Sequence, residues 1–334
     1  MFTNRMIRNL LVPVVLEQIL NSIMGTADTM MVSNVGSAAL SAVSLVDSIN
    51  VLLIQAFSAL AAGGAIVCAQ YIGQRNYEKA NMSARQVLFI ITAISVVVSA
   101  VCLIFQKPLL RLIFGAVDAD VMRASEIYFF FTALSFPFIA AYDSAASIFR
   151  AQENTKGPMT ISMISNIMNI GGNAVLIWVF HLGVAGAAIS TLVSRIFCAV
   201  VVLWQLRKDR QPVVVRDYLK IRPDWSMIGR ILGLGIPSGI ENSMFQLGKL
   251  AIQSTVSTLG TAAIAAQAMT NILENLNGIA AIGVGVGLMT IVGQCLGAGR
   301  KDEAVYYIKK LCVIAEAVII VSCLIVYILV RPVT

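Results

Sequence analysis

The chain has 334 residues, of which 58% are hydrophobic and 12% charged; its net charge is +7 and its mean hydropathy +0.84. An average soluble domain carries roughly 25% charged residues, so this composition excludes a water-covered globule and makes the lipid bilayer the surrounding medium. Nucleic acid is excluded as a partner, because the basic residues stand at the ends of apolar runs and not on one face with aromatic interleaving.

A transmembrane helix needs about 20 mostly apolar residues. Nine such runs occur, at 8–32, 46–71, 84–106, 124–147, 158–180, 183–206, 228–256, 268–295 and 306–330. The first contains Pro13, Glu17 and Asp28 and has no small-residue cleavage site, so it reads as a span and not as a removable leader. After the sixth run comes the longest polar stretch, 207–227, rich in Arg and Lys. With nine spans it shares a side with Arg5 and Arg8 of the N-terminus and with the loops holding Arg75 and Lys79, Arg150 and Lys156, and Arg300 and Lys301. The opposite connections hold little beyond Lys107, Arg111, Arg123 and Arg331. By the positive-inside rule the N-terminus is cytoplasmic, in a multi-pass protein of the cell inner (plasma) membrane. The six cysteines lie in or at the ends of spans without metal-ligand spacing, and the single histidine, His181, sits in a short external turn. No tightly bound metal, cofactor or enzymatic centre is therefore expected.

Shifted by 224 residues, the chain matches itself without a gap from 12–80 onto 236–304. The coincident pairs include Pro13 with Pro237, Glu17 with Glu241, Gly36 with Gly260, Gly63 with Gly287, Gln70 with Gln294 and Gly73 with Gly297. Because six spans separate the copies, both enter the membrane in the same direction, as parallel repeats about an axis along the membrane normal. The expected fold is an all-α integral membrane protein, a helical bundle of two lobes built from six-helix repeats, the second truncated to three helices. Its divisions are an N-terminal lobe at 1–206, a cytoplasmic linker at 207–227 and a partial C-terminal lobe at 228–334. The register places three further spans at roughly 348 to 430.

Ionisable groups inside spans cost about 2.5–3.5 kcal/mol or more at the bilayer centre, so each raises a functional question. Asp28 is the leading candidate: its neighbours Gly25, Thr26, Ala27 and Thr29 leave room for water or an ion. Asn166, Asn169 and Asn173 recur at three and four residues and share one helix face, where amide oxygens can ligate a cation or glue helices together. Thr191 follows a run of small residues that allows close helix approach and borders the same pocket. Glu17 and Glu241 hold one repeat position; they either face each other across a central cleft or pin helices within each lobe. Gln246, Asn271 and Glu274, with Lys249, make the second lobe's interior polar and line the substrate cleft, unless Lys249 is consumed in an ion pair with Glu241 or Glu274. Pro13 and Pro237 remove a backbone hydrogen bond within a span and are the expected hinges.

Four stretches carry a resemblance: the first span from Pro13 to Gly36 ending in ADTMMVSNVG; AQYIGQRNYEKA at 69–80, with its second copy GQCLGAGRKDEA at 293–304; SIFRAQENTKGPM at 147–159; and GVAGAAISTLVSR at 183–195. Together they make the chain similar to the multidrug and toxic compound extrusion (MATE) family of secondary transporters. The resemblance implies twelve helices in two six-helix lobes forming a V, monomeric at full length, exporting small organic cations in exchange for H+ or Na+. Asp28 matches the family's first-helix aspartate, Asn169 its fifth-helix asparagine and Thr191 its sixth-helix threonine. Asn173 stands where several prokaryotic members carry a second aspartate, which removes one negative charge from the cation-coupling site. The family's seventh-helix glutamate falls on Phe245 here, so Glu241 inherits no role. The leading expectation is a cation-coupled multidrug antiporter. The alternatives are a lipid-linked precursor flippase of the same superfamily, which calls for a cationic cleft, and an inactive transporter fragment.

Overall fold

The computed structural model describes residues 1–114, 118–208, 211–216, 218, 222–257 and 261–333, and every regular element among them is helical. In chain order these are α1 Asn4–Ser33, α2 Ser37–Gly73, α3 Tyr77–Ile104, the short amphipathic α4 Gln106–Phe114, α5 Ala119–Leu134 and α6 Phe136–Ala151. They continue with α7 Lys156–Ala174, which runs into a π-helical turn Val175–Val179, then α8 Gly183–Leu206, α9 Trp225–Ser257, α10 Thr261–Gly297 and α11 Lys301–Val333. The nine apolar runs all fall on these helical elements, that at 124–147 divided between α5 and α6. Among the described residues, six helices are long and apolar enough to cross a membrane, or seven with α5 and α6 taken as one span.

Two departures from the sequence reading matter. The run at 124–147 is not one straight helix: α5 and α6 meet at Ser135 with a bend of 42°. Pro137 explains it, since proline suits the first turn of a helix but cannot continue one. The second departure is that α2 begins at Ser37 and not at 46, which moves Asp47 from the end of the span to the helix interior.

The repeat is visible in the backbone. α2 and α10 have bounds offset by 224 residues, and both end in the same helix cap. Arg75 N–H donates to the Ile72 carbonyl and Asn76 N–H to Tyr71, while Gly299 donates to Leu296 and Arg300 to Cys295, all between 2.9 and 3.1 Å. Arg75 and Gly299 accordingly share a left-handed φ, 58° and 74°.

The copies pack about a local two-fold, so contacts occur in exchanged pairs. A Cβ on Gly73 would lie 2.1 Å from the Gln294 carbonyl oxygen, and one on Gly297 2.0 Å from that of Gln70. Gly63 approaches Gly235 as Gly287 approaches Leu11, the repeat partner of Gly235. These approaches lie in the N-terminal halves of α1 and α9 and the C-terminal halves of α2 and α10, the end that also bears the chain's N-terminus. Toward the other end, Gly25, Gly248 and Gly278 have nothing within 4 Å of an added Cβ. The two repeats thus meet backbone to backbone at the end bearing the N-terminus, the closed end of the V expected for this fold.

The stretch at 207–227 is docked, not free. Val213 and Val215 are fully buried, Val213 N–H donates to Gln152 Oε1 at 2.9 Å, and Val214 N–H donates to Asn81 Oδ1 at 2.7 Å. Gln86 Nε2 reaches the Arg222 carbonyl at 2.7 Å, which ties the connection to the first repeat.

Candidate functional site

α1 crosses α7 along a polar seam. At its closed end, Asn21 Oδ1 accepts from Ser162 Oγ at 2.9 Å and from Asn166 Nδ2 at 3.0 Å. Two turns further along α1, Asp28 Oδ1 accepts from Asn173 Nδ2 at 2.6 Å. Asn169 and Asn173 are each only 1% exposed, so their amides are held in place. The small residues of α7 and α8 permit this: a Cβ on Gly172 would lie 2.4 Å from Ser190 Oγ, and Ser190 Oγ donates to the Asn169 carbonyl at 2.9 Å. The π-helical turn begins two residues after Asn173, a distortion frequent at functional sites.

The Asn169 amide fits the pocket in two orientations. In one, Nδ2 donates to Thr191 Oγ1 and Oδ1 accepts from Asn173 Nδ2, both at 3.3 Å. In the other, Nδ2 donates to Asp28 Oδ1 at 2.8 Å and Oδ2 at 3.3 Å. The second suits a carboxylate, which only accepts; the first suits a carboxylic acid, whose hydroxyl can donate to the amide oxygen. Asp28, Asn169, Asn173 and Thr191 are thus brought together by the fold, and Asn173 Oδ1 remains a buried oxygen without a partner.

The other sequence candidates are scattered. Glu17 is 2% exposed: Arg150 Nη2 donates to both of its oxygens at 3.0 Å and Tyr142 Oη to Oε1 at 3.1 Å. It pins α1 to α6 and does not face Glu241 across the cleft; Glu241 is exposed on α9. Glu274 is exposed and paired with Lys249 at 2.8 Å, while Gln246 is half-buried on α9. The side chain of Asn271 lies outside the described residues. Pro13 and Pro237 both sit inside continuous helices. Pro13 leaves the Asn9 carbonyl without its helical donor, and Thr155 Oγ1 supplies one from the α6–α7 corner at 3.2 Å.

That corner, residues 150–155, also meets the second repeat. Thr290 Oγ1 donates to the Arg150 carbonyl at 3.2 Å, which also accepts from Glu153 N–H at 2.9 Å, and Gln294 Nε2 donates to the carbonyl of Ala151 at 2.9 Å, at the end of α6. Burial pushes the Glu153 carboxyl above its ordinary value, opposed by a hydrogen bond with Gln294.

Sequence reasoning missed Asp47, Tyr128, Arg150 and Arg195 as members of one buried polar system. Arg195 Nη1 donates to Ser135 Oγ at 2.7 Å, at the α5–α6 bend, and interacts electrostatically with Tyr128, Asp47, Asp143 and Asp28. Charged residues on different apolar helices signal that partners must exist, but not which ones.

Known proteins sharpen this picture. The MatE family model matches residues 13–175 and 237–333, two segments that open on the paired prolines. A probable multidrug resistance protein of Bacillus subtilis, YoeA, is 28% identical over 88% of this chain and 64% of its own length. A probable multidrug resistance protein of Thermotoga maritima, NorM, is 25% identical over 90% of this chain and 65% of its own. The chain therefore spans just under two thirds of these relatives. Among solved structures, an outward-facing multidrug resistance MATE family transporter superposes with a TM-score of 0.90 at 19% identity, covering 96% of this chain and 71% of that one. A MOP superfamily transporter from Pyrococcus furiosus reaches the same score over 98% of this chain and 72% of its own. With two family segments and a helical fold built from two closely packed repeats, the chain belongs to the MatE family of membrane transporters.

Proposed function

We propose that the protein is a secondary multidrug efflux antiporter that exports small organic cations in exchange for H+ or Na+, with Asp28 as the coupling carboxylate. The observation that carries this reading is Asp28 on α1, gripped by amides from α7. Cation arrival at Asp28 removes its need for two amide donors, Asn169 turns toward Thr191, and α1 is freed to bend at Pro13. Ion and substrate need only prefer different states of one equilibrium for transport to be coupled. In this reading the N-terminus and the closed end face the cytoplasm of the cell inner membrane, and the protein acts as a monomer. A flippase for anionic lipid precursors asks for a cationic cleft, whereas the first lobe's interior holds Glu17, Asp28, Asp47 and Asp143 against Arg150 and Arg195.

Drug-resistance and substrate-uptake assays on the protein as its gene encodes it test the reading. Asp28→Asn is expected to abolish ion-driven efflux while the protein still reaches the membrane. Resistance and uptake unchanged by Asp28→Asn would overturn the assignment.

A further inference from the structure

Asp28 does not account for the charge inside the first lobe. Four carboxylates, Glu17, Asp28, Asp47 and Asp143, share the two guanidinium groups of Arg150 and Arg195. Arg150 is committed to Glu17 and also faces Asp143; Arg195 is shared among Asp47, Asp143 and Asp28. Uncompensated charge in a low-dielectric interior is costly, so two further positive charges are called for. One belongs to Asp28.

The second points to Asp47. This carboxylate, from α2, accepts only from neutral groups: Asn50 Nδ2 at 3.1 Å and Tyr128 Oη from α5 at 3.2 Å, both on Oδ1. Its charged neighbours are Asp28 on α1, which repels it, and Arg195 on α8, which donates to Ser135 Oγ. Asn50 is 3% exposed, and while its amide nitrogen binds Asp47 its Oδ1 has no partner. Turned over, that amide would bring its free oxygen to the carboxylate in place of its nitrogen, and the pair would be a donor set for a small monovalent cation.

The internal repeat supplies an independent argument. Under the 224-residue shift Asp47 and Asn50 correspond to Asn271 and Glu274, an amide and a carboxylate one turn apart in exchanged order. In the second copy Lys249 of α9 places its ammonium 2.8 Å from Glu274. The first-copy counterpart of Lys249 is Gly25, which has no side chain and nothing within 4 Å of an added Cβ. The second lobe carries its own cation where the first has open space.

We infer that Asp47 and Asn50 form a second monovalent-cation site in the first lobe, taking H+ or Na+ where the second lobe uses the Lys249 ammonium. The inference rests on the reading of the chain as a cation-coupled transporter and deepens it, fixing two cations per first lobe. Equilibrium dialysis of the purified chain against 22Na+, and acid titration of the Na+-free chain with an indicator dye, count them. Asp47→Asn and Asp28→Asn are each expected to remove one equivalent and leave the other. Asn50→Leu distinguishes the ions: it lowers Na+ affinity about tenfold or more if Na+ is the occupant, and leaves proton uptake intact if H+ is.

Carbodiimide, which modifies protonated carboxyls in apolar surroundings, gives a readout on the unaltered chain. Peptide mass spectrometry is expected to find both Asp28 and Asp47 labelled, with protection by Na+ if Na+ binds. Binding that is lost entirely in Asp28→Asn and untouched in Asp47→Asn, or labelling confined to Asp28, overturns the second site and leaves the coupling reading standing. Loss of the sole equivalent in Asp47→Asn, with Asp28→Asn silent, instead overturns the coupling role of Asp28.

Discussion

Gly297→Ala tests the packing that shuts the V. The new Cβ would sit 2.0 Å from the Gln70 carbonyl oxygen and 2.7 Å from its carbon, both backbone atoms that no rotamer change can move. Since real Cβ contacts essentially never fall below 3.0 Å, α2 and α10 must separate by 1.0 Å or more. Overpacking of this kind costs about 1–3 kcal/mol. Alanine is also the better helix former, by about 0.8–1.0 kcal/mol, and that gain must be measured separately. Gly285→Ala, on the same helix but with nothing within 4 Å, provides it. Reversible unfolding of both variants in one detergent should place Gly297→Ala about 1–3 kcal/mol below Gly285→Ala. Gly73→Ala opens the same gap from the other side, so the double variant should lose less than the sum of the singles. Equal stability of Gly297→Ala and Gly285→Ala would refute the close backbone approach.

Two further outcomes follow from the closed end. Glu17→Gln leaves the Arg150 guanidinium buried without its charge partner and should destabilise the fold by about 3–5 kcal/mol, while Glu17→Leu combined with Arg150→Met should cost much less; denaturant unfolding of the three variants checks the order. The raised Glu153 carboxyl means that the folded state binds its proton more tightly than the unfolded state does. Stability should therefore fall as pH climbs from the ordinary carboxylate value through the raised one, and Glu153→Gln should flatten that stretch and be the more stable at neutral pH. Parallel slopes for the two proteins in a pH series of unfolding midpoints would contradict this.

Much of the architecture was written in periodic features: run length, the 224-residue register and the 3.6-residue spacing of Asn166, Asn169 and Asn173. Those place a helix, its copy and a polar face; the fold then sets Asp28 and Thr191 beside the Asn169 and Asn173 of that face. Asp47 escaped because Ser37, Ser41, Ser44 and Ser48 dilute the hydropathy of the first turns of α2, so the span seemed to begin beside it. The bend at Ser135 was legible in Pro137 and was passed over in favour of run length. The partner of Glu17 was not legible at all, because Arg150 lies 133 residues away and only the packing of α6 against α1 brings it within 3.0 Å. Local chemistry announces that a charge needs company; tertiary topology chooses the companion.

The α6–α7 corner is a shared joint. Within residues 150–155, one side chain fills the carbonyl that Pro13 leaves open on α1, another holds Glu17, and two main-chain oxygens are held by α10 of the other repeat. In the proposed transport cycle, a bend of α1 and a parting of the lobes would both load these six residues. Under the proposed coupling by Asp28, a signal from its helix to the closed end would need no relay across the cleft, because these contacts meet at one corner.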